Sequence, residues 1–120
     1  MATLESKNLD TPDETRPAGR AEMRIVNLQA GTVGLGVFQP GWQWSKDVQP
    51  IVGGTSCQAP HFGYIISGRM SGRMDDGAEF AAVAGDVVTL PPGHDAWVVG
   101  EEPCRMLDWG AAANYAKPAS

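Results

Sequence analysis

From about Met23 onward, apolar and polar positions alternate in short runs broken by glycine and proline. Met23–Leu28 mixes the two types as a half-buried strand does, and Gln29-Ala30-Gly31 turns the chain. Thr32–Gln39 is a second apolar segment, and its Gly34 and Gly36 predict a bulge or a bend at a barrel corner. His61–Ser67 is rich in aromatic and β-branched residues, the composition of a strand. After Gly68, Arg69–Met74 sets Arg69, Ser71 and Arg73 against Met70, Gly72 and Met74, which predicts a charged outer face and methionines turned inward. Asp75-Asp76-Gly77 is a hairpin signal, because Asp-Gly supplies the positive φ of a tight primed turn. Glu79–Val83 returns as the partner strand. Ala84–Asp86 turns again, Val87–Leu90 is a short buried strand stopped by Pro91-Pro92-Gly93, and Ala96–Val99 and Cys104–Trp109 close the set.

Eight to ten short strands at turn spacings of about 8–12 residues predict an all-β sandwich or barrel. No amphipathic helix of ordinary length and no internal repeat interrupts this pattern. Trp42 and Trp44, two apart, would share one face of a strand, either as core or interface packing or as an aromatic wall at a pocket mouth. Residues 45–56 read as a loop around Gly53-Gly54. Residues 1–20 are polar and lack any period. They predict an N-terminal arm, loose over the first ten residues, whose Thr11–Pro17 stretch can dock on the barrel or on a partner subunit. Residues 21–112 form the expected domain, and 113–120 a C-terminal tail or helical turn.

Composition narrows the classes of function. A chain of 120 residues favours one domain, and 15 glycines with 9 prolines suit many tight turns. The formal charge of −5 and a pI near 4.8 argue against nucleic acid, whose phosphates call for a basic surface. No apolar run reaches the length of a membrane span, and the first residues lack the apolar stretch of a signal peptide, so a cytoplasmic protein is expected. Cys57 and Cys104 are too few for a disulfide framework, and Cys104 reads as a small buried hydrophobe. Gly31, Gly34 and Gly36 have neither the spacing nor the following helix of a dinucleotide fingerprint. The chain has only two histidines, His61 and His94, one in each of its two most heavily punctuated stretches.

Those two stretches resemble the motifs of the cupin superfamily of small jelly-roll barrels, over about residues 23–110. His61-Phe62-Gly63-Tyr64-Ile65-Ile66-Ser67-Gly68 has the layout of the first cupin motif from its metal-binding Glu or Gln onward. Gly85-Asp86-Val87-Val88-Thr89-Leu90-Pro91-Pro92-Gly93 matches the start of the second motif without a gap. The chain is similar to a group of small single-domain bacterial cupins without a settled activity. The resemblance implies an antiparallel cupin-type jelly-roll β-barrel with an extended N-terminal arm. It also implies ligand positions: the two first-motif histidines fall on Thr55 and Cys57, the Glu or Gln on His61, and the last histidine on Ala96. The usual three-His, one-Glu set is therefore absent from those positions.

Two classes of function follow. In the first, the barrel binds a small molecule in a cavity lined by Trp42, Trp44, Met70, Met74 and Phe80, with His61 fixing a polar group, His94 lining the same pocket and the metal site degenerate. In the second, the protein is a metal-dependent cupin enzyme, an oxygenase or isomerase, using a non-standard Cys57/His61/His94 site for zinc or a similar divalent ion, with Asp95 or water as fourth ligand. Against both stands the plain alternative of a buried, hydrogen-bonded His61 and a His94 at the rim. Imidazoles more than about 8 Å apart would exclude a shared ion, since each bond spans only about 2 Å. A homodimer is the expected assembly, with Trp97 and Val99 as its interface core if Ala96 points inward.

Overall fold

The computed structural model describes residues 3–118. Met1 and Ala2 of the expected arm, and Ala119 and Ser120 of the expected tail, lie outside the described residues. The nine strands among the described residues are β1 (Glu14–Pro17), β2 (Ala21–Leu28), β3 (Gly31–Phe38), β4 (His61–Ser67), β5 (Arg69–Met74), β6 (Glu79–Val83), β7 (Val87–Leu90), β8 (His94–Val98) and β9 (Cys104–Asp108). Two single-turn helices, α1 (Trp44–Asp47) and α2 (Gln49–Val52), lie between β3 and β4. All pairings are antiparallel. One sheet runs β1-β2-β3-β9-β4-β7 and the other β6-β5-β8, which is a jelly-roll arrangement of two facing sheets. No helix among the described residues is long and apolar enough to cross a membrane.

Alternation decides which side chains meet between the sheets. Met23, Ile25, Phe38, Ile65, Cys104 and Met106 from the larger sheet are buried against Met70, Ala82, Ala96 and Val98 of the smaller one. β4 to β7 have the bounds that their periodicity predicts. The Asp75–Gly77 turn is of a different kind from that expected. Only Gly77 has a positive φ (94°), and its N–H donates to the Met74 carbonyl, so a three-residue loop with one left-handed glycine replaces the two-residue primed turn.

Several expectations need correction. Gly34 and Gly36 sit in a ladder with no register shift, so they make neither a bulge nor a bend. They leave room instead: a Cβ on Gly34 would lie 2.7 Å from that of Ala112, and one on Gly36 would meet the Phe38 ring at 2.3 Å. The one irregular step lies between Ile65 and Ser67, on the β4–β9 ladder. Residues 45–56 are not a plain loop, because α1 and α2 occupy 44–52. Trp44 is thus the first residue of a helix rather than part of a strand, although both tryptophans are buried, with the Trp42 indole N–H donating to the Ala18 carbonyl at 2.9 Å. β1 lies inside the expected arm and pairs with β2. Residues before it dock through polar links, among them the Gln29 N–H donating to Glu5 and an ion pair between Arg24 and Asp10.

Candidate functional site

Three segments bring the candidate residues together. His61 opens β4 and His94 opens β8, both turned to the space between the sheets, so His94 is not a rim residue. Gly93, at φ 95°, ends the Pro91-Pro92 turn and aims His94 inward beside Ala96. Cys57 belongs to a loop, but its backbone is stitched to β8. Its N–H donates to the His94 carbonyl, and its own carbonyl accepts from Gly93 and His94. The thiol is therefore as firmly placed as a residue within a strand.

The two imidazole centroids are 5.2 Å apart, well inside the limit for sharing an ion. The Cys57 sulfur is 3.8 Å from His61 Nε2, and the three donor atoms of Cys57, His61 and His94 all lie within 4.8 Å of one another. Hydrogen bonds fix both rings. His94 Nδ1 is 2.7 Å from the Pro91 carbonyl, which can only accept, so Nδ1 carries the proton. His61 Nδ1 donates to Asp108 Oδ2 at 2.5 Å. Each Nε2 is thereby left to face the sulfur.

The protonation states follow from these contacts. Burial pushes the Cys57 thiol up, but hydrogen bonds from His61, His94 and the Ala59 backbone N–H outweigh it and bring the thiol down to about 6. Burial lowers His61, yet its bonds to Asp108 and Cys57 raise it to about 9. Burial also raises Asp108, and the His61 hydrogen bond and charge with the N–H groups of Gly110 and Ala111 more than reverse this, holding it below the ordinary carboxylate value. The metal-free site at neutral pH is a thiolate beside an imidazolium. Burial and the charge of Glu102 push Cys104 up to about 11, in keeping with an inert core thiol.

One consequence is measurable. His61, raised from 6.5 to about 9, contributes stability that is complete below pH 6.5 and lost as pH rises toward 9. Cys57, lowered from 9.0 to about 6, contributes stability that is complete above pH 9 and lost as pH falls toward 6. The two slopes oppose each other between pH 6.5 and 9, where folding only moves a proton from sulfur to imidazole. Urea unfolding of the metal-free protein is thus expected to give a nearly flat stability across that window. Cys57→Ser should uncover a His61 slope held up by Asp108 alone and over a narrower window, a fall with rising pH of at most about 1.4 kcal/mol per unit. A variant as flat as the parent would refute the pairing.

The donor set fits a metal ion. Thiolate and imidazole suit zinc and similar ions, and a ligating histidine commonly gives its second N–H to a carboxylate or backbone carbonyl, as both do here. Ligand atoms around a tetrahedral ion stand about 3.4–3.8 Å apart, so side-chain shifts of about 1 Å would close the set. Asp95, named from the sequence as a fourth ligand, is elsewhere. It points away from the barrel, where its carboxylate accepts hydrogen bonds from Gln43 Nε2 and from the Ser45 backbone and hydroxyl. It caps the first turn of α1, a role that strand alternation past His94 already favours. Thr55 is exposed, and Ala96 lines the cavity.

That cavity has a volume of about 40 Å³. Trp42, Trp44, Met70, Phe80, His61 and His94 line it. Met74 does not. It lies at the end of β5 beside the hairpin turn and lines an outer groove with Asp75 and Trp97. Two important residues escaped the sequence reading. Asp108 shares a face with Cys104 and Met106, a carboxylate in a buried alternation, and that was a readable signal. Tyr115 lies in an aperiodic segment that offered none; its ring closes the cavity with its centroid 5.3 Å from that of His61. Burial raises its phenol well above the usual range, so it stays protonated.

No protein-family model and no curated protein matches the chain. Solved structures do. A Cupin 2 conserved barrel domain protein from Salinispora arenicola is 24% identical, with a TM-score of 0.61 over 93% of this chain and 92% of that one. The polyketide cyclase RemF from Streptomyces resistomycificus is 14% identical, with a TM-score of 0.64 over 92% of this chain and 80% of that one. A protein of unknown function from Rhizobium leguminosarum is 19% identical, with a TM-score of 0.64 over 98% of this chain and all of the other. With the two-sheet topology and the two motif-bearing stretches at β4 and at the β7–β8 turn, these likenesses show that the chain has a cupin-type jelly-roll fold.

Proposed function

We propose that the protein binds one divalent, thiophilic metal ion through Cys57, His61 and His94, and that a small ligand takes the remaining position from the apolar cavity. The observation that supports this most is the convergence of two imidazoles, each tied down at Nδ1, on one buried sulfur. Such an ion would act as a Lewis acid or lower the pKa of a bound water. Asp108 and the Pro91 carbonyl hold the two rings in the tautomers that present Nε2. The apolar lining excludes bulk water, and the Tyr115 phenol, kept neutral, covers the site. Three protein donors with one open position are the pattern of catalytic rather than structural zinc sites, which favours a metal-dependent enzyme of oxygenase or isomerase type over a purely binding barrel. Elemental analysis of untagged protein tests the ion. Cobalt-loaded protein should show a thiolate-to-cobalt charge-transfer band that Cys57→Ser removes; its absence from the parent would overturn the site.

We propose further that the protein pairs with a second copy, through a face other than the one around Trp97. Trp97 is half-buried beside Gln43, whereas Phe62, Tyr64 and Ile66 point outward from β4 and are 50%, 36% and 44% exposed. Val87 and Leu107 flank Tyr64 in register, and Trp109 packs on Phe62 at 5.9 Å. None of these residues is charged, so two acidic copies can meet here without burying like charges. The exposed apolar area is roughly 400–500 Å² per copy, short of the ~800 Å² of a standard interface, so the dimer is expected at high micromolar concentration. Light scattering should show a doubled mass that Tyr64→Glu halves and Trp97→Ala leaves alone. A monomeric parent at that concentration would rule the dimer out.

A further inference from the structure

The cavity between the sheets is too small for an organic ligand. Its ~40 Å³ holds about three waters, while ligand pockets run to about 300–1,000 Å³. A second space of about 340 Å³ lies directly outside, between α1–α2, the 53–59 loop and the C-terminal segment. Trp44 and Tyr115 line both spaces, and Cys57 lines the outer one while its sulfur meets the two cavity histidines.

We propose that this cleft is the vestibule of the barrel, and that residues 111–117 form a gate between vestibule and cavity, with Tyr115 as the leaf and Arg16 as the latch. The gate is one helical turn, in which the Asn114 and Tyr115 N–H groups both donate to the Ala111 carbonyl. Both of its ends are tied by groups from elsewhere in the chain. At the start, Asp108 Oδ1 accepts from the Gly110 and Ala111 N–H groups at 2.8 and 3.1 Å, while its other oxygen holds His61. A single carboxylate thus spans gate and site. At the far end, the buried Arg16 guanidinium donates to the carbonyls of Ala112, Ala113 and Tyr115, the last at 2.7 Å, and is itself held by Glu14. These are the carbonyls a helical turn leaves without partners. β1, the strand inside the N-terminal arm, thereby has a task in addition to pairing with β2.

The turn is held by the polar links of Arg16 and Asp108 and by the buried side chains of Ala112, Tyr115 and Ala116, and one feature marks it as movable. Ala116 adopts φ 59°, the one positive φ outside glycine among the described residues, and a left-handed alanine costs on the order of 1 kcal/mol that opening would release. Swinging Tyr115 aside joins cavity and vestibule into a space of ligand-pocket size.

The test reads access to the Cys57 sulfur, which is buried against His61 although the residue borders the vestibule, and it does not depend on a metal. Full-length protein in excess chelator is treated with iodoacetamide, and Cys57→Ser identifies the reacting thiol. Arg16→Met and Tyr115→Ala are each expected to speed alkylation of Cys57 at least tenfold with an unchanged β-sheet circular dichroism spectrum, and Arg16→Lys should restore part of the protection. Equal rates in parent and both variants would overturn the gate. So would rates whose urea dependence matches that of global unfolding, because the thiol would then be reached by unfolding the barrel. If Arg16→Met does not fold, Tyr115→Ala decides alone. A cobalt experiment that fails while alkylation responds as expected would remove the metal and leave the gate.

Discussion

Replacing His61 by alanine is expected to lower metal affinity at least a hundredfold and to leave untagged protein essentially without metal. The substitution removes one donor of three, and two donors are too few for a tight site. It also strands Asp108, whose Oδ2 has His61 as its partner, so a buried carboxylate loses the group that keeps it ionised. Asp108→Asn makes the useful comparison. It spares all three donors but loosens the His61 ring, and losses of this kind run to about 10–100-fold. Competition with a chromophoric chelator measures both. The ranking is as informative as the sizes, since a carboxylate that merely supported the fold would not weaken the metal in proportion to its hold on His61. An unaltered metal content in His61→Ala would remove the proposed site altogether.

Gly63→Ala should be among the most destabilising single methyl additions in the chain, at about 3 kcal/mol or more. Gly63 stands between His61 and Ile65 on the inward face of β4 and opposite Asp108 on β9. A Cβ there would lie 2.1 Å from the Leu107 carbonyl oxygen and 2.6 Å from the Met106 methyl. The methionine can rotate away, but the carbonyl belongs to the β4–β9 ladder and cannot move without breaking it. Over-packing of this sort costs about 1–3 kcal/mol where side chains absorb it, and more where backbone must shift. Thermal unfolding should drop by about 10 °C or more. Because the displaced strand carries Asp108, the same change should lower metal affinity in the fraction that still folds. A loss under about 1 kcal/mol would mean that the two strands have slack.

Strands β4 to β7 were legible because period-two alternation and Gly or Pro stops mark both their faces and their ends. The pairing of His61 with His94 was legible for a related reason: each opens a strand whose inward parity is set by neighbours such as Ile65 and Ala96. What failed has physical causes. β1 is four residues at a sheet edge, ends in Pro17, and buries only Arg16, so it has no apolar period to detect. Gly34 and Gly36 were read through their backbone freedom, but their use is the absence of a side chain where Ala112 and Phe38 come close. Trp42 and Trp44 are both buried, yet the chain changes from extended to helical between them, and a spacing of two carries no notice of that. Asp108 was available to anyone counting alternate positions along β9. Tyr115 was not, because its position depends on Arg16, 99 residues away in sequence.

The backbone bonds that sew Cys57 to β8 hold a position in space without regard to the side chain mounted on it. Ala96, farther along β8, keeps a second mount facing the same cavity with nothing larger than a methyl group on it. Ion preference is therefore separable from architecture in this barrel. Histidine at position 57 would exchange a soft sulfur for a borderline nitrogen, and histidine at 96 would fill the vacant corner, shifting selectivity toward ions that favour nitrogen donors. Two codons would carry a lineage, or a designer, from one metal chemistry to another while the ladders between the strands stayed as they are.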